Sequence, residues 1–469
     1  MNLNRRDFLK AASYAGVAAM GLAINPCKAW SRPSNLRITD IRGCTVASNY
    51  DYPIIKLYTN QDIYGLGEVR DAGTLNMALV LKPLLVGKDP LDIEGILASI
   101  REWSGGDANL NGRNGGGFSA IDMALFDIAG KALGVPAYKI LGTKLRDKIE
   151  IYADTDENLD KVIYAKRSKN RKETFGLKWM KMDLRPQLFQ GVEGATANGL
   201  PTEKGIEIWG EYVEAVREAI GMNIPLGADH FGNMNVETGI MLGKAMAKPS
   251  RKLAYIEDVI GYSRPNAVEW MKQITANSPT PTLGYEDLFG LNNYRPFLLE
   301  NAVSLIHCDM ETSGGLMETH KISMYASRFG IKTMFHHAGS PVGAMASVHC
   351  ACTLPDFMAI ENHAFDIPWW QDLVKGIDKP LIKDGCYTVP EKPGLGIELD
   401  DEVVQKYLRE AQYVSKTGYF EPTPEFDAPT ANLADARAKG MLTNRGGMRS
   451  GPWIHLDENG ELVNTVGPR

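Results

Sequence analysis

Long apolar runs are absent from almost the whole chain. Beyond residue 24 no stretch approaches the ~20 consecutive apolar residues that a membrane-crossing helix needs. Excess positive charge is absent too: 51 Lys and Arg stand against 57 Asp and Glu, a formal net charge of −6. Neutralising phosphates takes clustered Lys and Arg in excess, so a nucleic-acid binder working through a basic face is excluded. Cysteine is scarce. Six residues, at positions 27, 44, 308, 350, 352 and 386, include no CxxC pair, and the single C-x-C at Cys350 and Cys352 is too isolated for a zinc site. Six thiols in 469 residues make no disulfide scaffold, and buried thiols are expected. Apolar content of 44% and charged content of 23% are ordinary globular values and exclude general disorder. Glycine alone is in excess, which fits tight turns and close backbone approaches.

At the N-terminus Arg5 and Arg6 precede an apolar run, Ala11 to Ile24, that is too short to span a bilayer. Cys27-Lys28-Ala29 offers a small-residue cleavage site. Residues 1–29 resemble a bacterial twin-arginine signal peptide. The resemblance implies the twin-arginine export machinery as a partner and a folded, periplasmic product that is free of the membrane after processing. An amphipathic N-terminal helix is the alternative. A lipid anchor at Cys27 fits less well, because Asn25-Pro26 does not match the small-residue pattern before a lipidated cysteine.

From about Ser34 the pattern is that of strands. Alternation over Ile54 to Thr59, a turn at Asn60-Gln61-Asp62 and a second run from Ile63 to Val69 predict a hairpin. Helical patterns follow around 75–87 and 90–103, then a glycine-rich loop at 112–117. The next helix is predicted to be capped by Ser119, to bury Ile121, Leu125, Ile128 and Leu133, and to stop at Gly134. Segregated strands and helices predict an α+β domain over 36–145. After Leu145 short apolar strands alternate with helical stretches, at 149–153, 179–182, 225–228, 253–256, 282–284, 304–307, 332–335 and 357–359. Eight such βα units in series predict an α/β fold closed as a TIM-type barrel, taken here as 146–385. The stretch 185–204 interrupts the rhythm as a loop after the second strand. Residues 386–469 are expected to return and pack on the N-terminal domain.

Acidic residues close successive strands. Asp229, Glu257 and Glu286 follow one another at intervals of 28 and 29 residues, one βα unit each. Carboxylates at the carboxyl ends of consecutive barrel strands converge on the axis, where they repel unless a hard cation sits among them. Three oxygen-donor acids select Mg²⁺. The register continues with Asp309, His336 and Glu361. A carboxylate one strand away from an imidazole can accept its Nδ1–H, fix the tautomer and stabilise the imidazolium, which makes His336 a candidate general base with Asp309 as its partner. His337 is the alternative base, although strand alternation turns it to the opposite face.

The run Ala120-Ile-Asp-Met-Ala-Leu-Phe-Asp-Ile-Ala-Gly-Lys131 with Gly134-Val-Pro136 resembles the capping-domain helix of the enolase superfamily. The Asp229, Glu257, Glu286 set and the Asp309–His336 pair resemble its mandelate racemase-like branch. The resemblance implies a modified barrel behind an α+β capping domain and proton abstraction α to a carboxylate, with Mg²⁺ taking up enolate charge. It implies that Glu361 hydrogen-bonds the substrate carboxylate. It also sets the second strand apart: the family's Lys-x-Lys reads Lys181-Met182-Asp183 here. Lys181 keeps the electrostatic role, and the second lysine is replaced by Asp183.

Racemisation needs a base on each face of the α-carbon. With His336 on one face and Asp183 on the other, a one-base dehydration of a sugar acid to a 2-keto-3-deoxy acid is the first expectation. Asp183 is then expected to hold Lys181 or a substrate hydroxyl. His230 is a rival acid that alternation turns away from the site. An epimerase or cycloisomerase is the second expectation, with Asp183 or His230 as the other base. A non-catalytic periplasmic sugar-acid-binding protein is the third. Specificity in such a family comes from capping-domain loops, which points to Asn49, Tyr50, Asp51 and Tyr52 and to residues 69–73 as hydroxyl-reading groups. A homo-oligomer is expected.

Overall fold

Period-two alternation builds an antiparallel meander first. Ile38–Val46 pairs with Tyr52–Thr59, which pairs in turn with Tyr64–Glu68 across the expected turn. The computed structural model describes residues 35–71, 73–414, 418–442, 452–457 and 459–466. Residues 1–29, expected to be a twin-arginine signal, lie outside the described residues. Helix Gly116–Leu133 is laid directly on the meander. A Cβ added at Gly65 or Gly67 would stand 2.0 or 1.9 Å from the carbonyl oxygens of Ala124 and Ala120, so the bare backbone of these two glycines sets the approach.

The helices of this domain differ from the sequence expectation at their starts. Gly112–Gly115 is a 3-10 turn that runs straight into Gly116–Leu133. Ser119 therefore lies one turn inside the helix, its hydroxyl donating back to the Gly115 carbonyl at 3.2 Å. Gly134, at φ 69°, stops the helix in the left-handed conformation as expected. The helix expected over 75–87 is broken into Asn76–Leu79 and Lys82–Leu85, because Pro83 fits only the first turn of a helix. Asp92 caps Ile93–Ser104, accepting from Gly95 N at 3.3 Å.

Eight parallel strands follow: Lys148–Thr155, Met180–Asp183, Leu226–Asp229, Tyr255–Glu257, Thr282–Gly284, Leu305–Asp309, Lys332–His336 and Phe357–Asn362. Each pairs with the next, and the eighth returns to the first, Glu361 opposite Tyr152. The result is a closed TIM-type barrel behind an antiparallel-sheet capping domain. Most strands run one to three residues beyond their expected carboxyl ends. Asp183, Asp229, Glu257, Asp309 and His336 are consequently the last residues of their strands, fixed by ladder hydrogen bonds rather than carried on loops.

The stretch 185–204 holds a 3-10 turn, Pro186–Phe189, and a two-rung hairpin, Thr196–Ala197 with Leu200–Pro201, before helix Glu203–Ile220. Beyond the barrel, Cys386–Thr388 pairs with the start of the first strand. Leu395 N then donates to Asp127 at 2.8 Å, and Arg409 Nε to Asp51 at 2.6 Å. Cys44, Cys308, Cys350 and Cys352 are buried free thiols. Among the described residues no helix is long and apolar enough to cross a membrane.

Candidate active site

The barrel interior is stacked in layers fed by alternate strands, as side-chain alternation requires. The floor is apolar: Tyr152, Tyr255, Leu283, Met334 and Ala359 pack together, with Trp179 and Leu305 against them. Two residues further along strands two, four, six and eight come Lys181, Glu257, His307 and Glu361, which close a ring of ion pairs. Lys181 Nζ lies 3.2 Å from Glu257 Oε2 and 2.6 Å from Glu361 Oε1. His307 Nδ1 lies 2.8 Å from Glu257 Oε1, and its Nε2 3.1 Å from Glu361 Oε2. Burial opposes the charge on Lys181, but Glu257 and Glu361 outweigh it and hold the ammonium well above its ordinary range.

Above this ring stand the acids of the odd strands. Asp229 is paired in register with Glu257, and its Oδ2 lies 3.9 Å from Lys181 Nζ. Glu257, Glu286 and His307 bring ligand atoms within 4.8 Å of one another, a set that does not include Asp229. Each of the three expected metal acids keeps one oxygen that accepts no hydrogen bond among the described residues: Asp229 Oδ2, Glu257 Oε2 and Glu286 Oε2. Their other oxygens accept from Phe231 N (2.9 Å), Lys181 Nζ (3.3 Å) and Arg70 Nη2 (2.8 Å). Burial, and then the charge of Glu257, pushes Asp229 well above the carboxylate range, and burial pushes Glu286 up to about 7. Oxygen donors that resist ionisation beside one another fit a hard divalent cation.

His336 Nδ1 lies 2.5 Å from Asp309 Oδ2, its strand-paired neighbour, and Nε2 is turned toward Glu286 at 3.6 Å. Burial, and then Arg70, keeps this imidazole neutral, well below the usual histidine range. Arg70, expected only as part of the 69–73 loop, was not foreseen as a partner of Asp309. It reaches in from the capping domain, bonds Asp309, lies 2.8 Å from both Glu286 and Asp71, and is 1% exposed. His337 faces the other way, 3.3 Å from Glu311. His230 is buried edge-on to Trp209, and burial lowers it to about 4, so alternation does turn it from the site.

Asp183 does not meet Lys181. Its Oδ2 lies 3.3 Å from Arg185 Nη2, because Glu257 and Glu361 already hold the lysine. Four donor groups surround Glu361: His363 Nε2 (2.9 Å, on Oε1) and the Tyr152 hydroxyl (3.0 Å, on Oε2) hydrogen-bond it, while Lys181 Nζ on Oε1 and His307 Nε2 on Oε2 form ion pairs with it. Burial opposes its charge, yet Lys181 and the histidines keep it ionised, well below the ordinary range. His363 Nδ1 faces Asp154 at 3.3 Å. Burial works against the imidazolium, but Asp154 and Glu361 push it up to about 9.

A cavity of 740 Å³ opens over these groups, lined by Lys181, Asp183, Asp229, Glu286, His336 and His363 among others. Tyr50 and Arg70 come to it from the capping domain, and Arg185, Gln187, Phe189, Gln190 and Thr196 from the interrupting stretch. Of the expected hydroxyl-reading groups, Tyr50 lines it, as do Arg70 and Asp71 of the 69–73 stretch, whereas Asn49, Asp51 and Tyr52 do not. Tyr52 is the first residue of a core strand, with no exposure, and its hydroxyl is consumed by Asn49 Oδ1 at 2.7 Å. Asp51 is taken by Arg409. The 185–196 segment occupies the mouth in their place.

Comparison with known proteins agrees with this architecture. Residues 30–142 match the mandelate racemase / muconate lactonizing enzyme N-terminal domain, and residues 164–403 match the enolase C-terminal domain-like family. A D-xylonate dehydratase of Haloferax volcanii is 31% identical over 379 residues, covering 80% of this chain and 90% of its own. A D-galactonate dehydratase family member of Salmonella enteritidis is 30% identical, covering 80% and 94%. A solved mandelate racemase/muconate lactonizing enzyme-like protein from Rubrobacter xylanophilus superimposes with a TM-score of 0.74 at 25% identity, over 83% of this chain and all of its own. With both domain models matched in order over a capped, closed barrel, the chain belongs to the enolase superfamily, in its mandelate racemase/muconate lactonizing enzyme branch.

Proposed function

We propose that the chain is a hydro-lyase that dehydrates a sugar acid of the aldonic type to a 2-keto-3-deoxy acid. One observation carries the reading: a neutral imidazole braced by a carboxylate, His336 on Asp309, opens onto a cavity whose other side offers Asp183, held by Arg185, and no second lysine. That asymmetry supports one-base elimination rather than racemisation. Relatives named D-xylonate, D-galactonate family and D-gluconate dehydratases support the same class.

The enolase superfamily generally uses Mg²⁺, and Asp229, Glu257 and Glu286 would hold it here through their unbonded oxygens. When bound, the cation supplies positive charge against which an α-carboxylate becomes acidic. The chain's own residues do the rest. Lys181 and His363, oriented by Glu361, face the substrate carboxylate with positive charge. His336 Nε2 removes the α-proton, and Asp309 stabilises the imidazolium that forms. The same imidazolium returns that proton to the departing β-hydroxyl in a syn elimination. Tyr50 and the 185–196 segment contact the hydroxylated chain and exclude water. The Arg5-Arg6 signature with its short apolar run supports export by the twin-arginine route to the periplasm.

A screen of aldonic and uronic acids with Mg²⁺ in D₂O tests the assignment. The expected product is a 2-keto-3-deoxy acid; deuterated diastereomers of the substrate would make it an epimerase, and no exchange at all a binding protein. Glu257→Gln is expected to abolish turnover with the fold intact. Near wild-type activity without divalent metal would sink the metal assignment.

A further inference from the structure

His307 has no exposure, and its two ring nitrogens reach opposite ways across the barrel. Nδ1 lies 2.8 Å from Glu257 Oε1, while Nε2 lies 2.8 Å from the Tyr152 hydroxyl and 3.1 Å from Glu361 Oε2. Lys181 spans the same two acids from the other side. Two acids therefore alternate with two bases around one layer, and each acid is gripped from both sides. On Glu257 the grip is uneven. Oε1 pairs with His307 Nδ1 at 2.8 Å and accepts from Lys181 Nζ at 3.3 Å, whereas Oε2 accepts no hydrogen bond and has only the same ammonium beside it, at 3.2 Å. The imidazole engages Oε1 alone, so Oε2 is the oxygen with a single charged neighbour.

We propose that His307 is a positioning residue for the divalent-metal site: it pins Glu257 Oε1, ties that carboxylate to Glu361, and so presents Glu257 Oε2 to the cation. This rests on the metal reading given above. Carboxylate ligands are themselves hydrogen-bonded in metal sites, and loss of such an outer partner costs about 10–100-fold in metal affinity. Without His307, Glu257 and Glu361 would compete for Lys181 alone. Glu257 would then close on the ammonium, which already lies 3.2 Å from Oε2, and withdraw that oxygen from the cation. Glu361 would lose one of its four donors, so the groups it orients would loosen as well.

The test is an equilibrium Mn²⁺ titration of the substrate-free protein, read from the electron-paramagnetic-resonance signal of free Mn²⁺. Wild type, His307→Ala and His307→Gln are compared, with the melting temperature of each metal-free protein measured alongside. His307→Ala is expected to weaken Mn²⁺ binding 10–100-fold. His307→Gln keeps one donor for two acids and is expected to fall between. A purely structural role would lower the melting temperature and leave Mn²⁺ affinity unchanged. Affinity within twofold of wild type in both variants overturns the proposal; should His307→Ala fail to fold, His307→Gln decides it alone. A wild-type chain that takes up no Mn²⁺ overturns the metal reading and this proposal together, whereas a binding wild type matched by its variants overturns this proposal only.

Discussion

Arg70→Ala tests the electrostatics of the site from the capping-domain side. One guanidinium, 1% exposed, lies 2.8 Å from Asp71, 2.8 Å from Glu286 and 3.6 Å from Asp287, and bonds Asp309. At about 3 Å two unit charges attract by roughly 5 kcal/mol in an effective dielectric of ~20. Desolvation of the arginine offsets much of that in the intact protein. Removing the cation alone leaves its acids buried and uncompensated, so the loss in the metal-free protein should be about 3–5 kcal/mol. The pH dependence has a definite sign. Burial works to raise Asp71, but Arg70 and then Arg113 outweigh it and hold its carboxyl below the ordinary range. A depressed acid contributes stability above its unfolded pKa, about 3.9 for Asp, and loses it as pH falls through the folded value. The part of the gap between wild type and Arg70→Ala that Asp71 contributes should be present at neutral pH and close in acid. Urea unfolding followed by circular dichroism at pH 7, 5 and 3.5 measures it. Mg²⁺ should also raise the melting temperature of the variant more than that of wild type, because the cation restores missing positive charge. A loss under about 1 kcal/mol at pH 7, or a gap that widens in acid, would refute the reasoning.

His336→Asn should remove exchange of the α-proton with solvent deuterium, while His337→Asn, whose imidazole faces Glu311, should leave it measurable; general-base contributions of about 10²–10⁴ make the contrast plain. Asp183→Asn should raise KM and change kcat little, since Asp183 works beside Arg185 rather than as a base; a drop in kcat of about 10² or more would make it the second base of an epimerase. Glu68, buried against Glu311 and accepting from Ser340 and Gly343, is pushed up to about 8 by burial and then by Glu311. A raised acid keeps its stabilising contribution below its unfolded pKa and loses it as pH rises through the folded value. Thermal melts should therefore show wild type losing ground to Glu68→Gln between pH 5 and 9, and a constant difference would contradict the burial argument.

The barrel was legible because its signal is repetitive. Eight apolar runs at βα spacing mark eight strands, and closure is the arrangement that leaves no edge. Strand ends were the weak point. Period-two patterning fades at an acid, so Asp229 and Glu257 read as residues just past their strands, whereas the ladder carries through them. In the capping domain Ser119 read as a cap because serine favours that position. Sequence statistics do not register that Gly115 and Gly116 pack too closely against neighbouring backbone and side chains for a bulkier helix start. Tyr52 read as a hydroxyl-reading group for a similar reason: its polar tip is visible in sequence, but its place at the head of a core strand is not.

The site shows where alternation suffices and where it stops. Once Glu257, Asp309 and Glu361 are placed on the inner face, the residues two positions away share it, which puts Lys181 with Asp183, His307 with Asp309, and His363 with Glu361. His307 and His363 were thus within reach of the sequence. What alternation cannot supply is level: whether His307 stands opposite Glu257 or one layer above depends on the stagger of strands that meet only when the barrel closes. Arg70 lies beyond even that, since it arrives from another domain and its only local mark was membership of the 69–73 loop. Level also decides chemistry. Asp229 and Glu286 line the cavity, whereas Glu361, one layer down in the ring with Glu257, is surrounded by Lys181, His307, His363 and Tyr152 and does not. The same residue type in the same register is therefore open to the cavity as Glu286 and set behind Lys181 and His363, which line it, as Glu361.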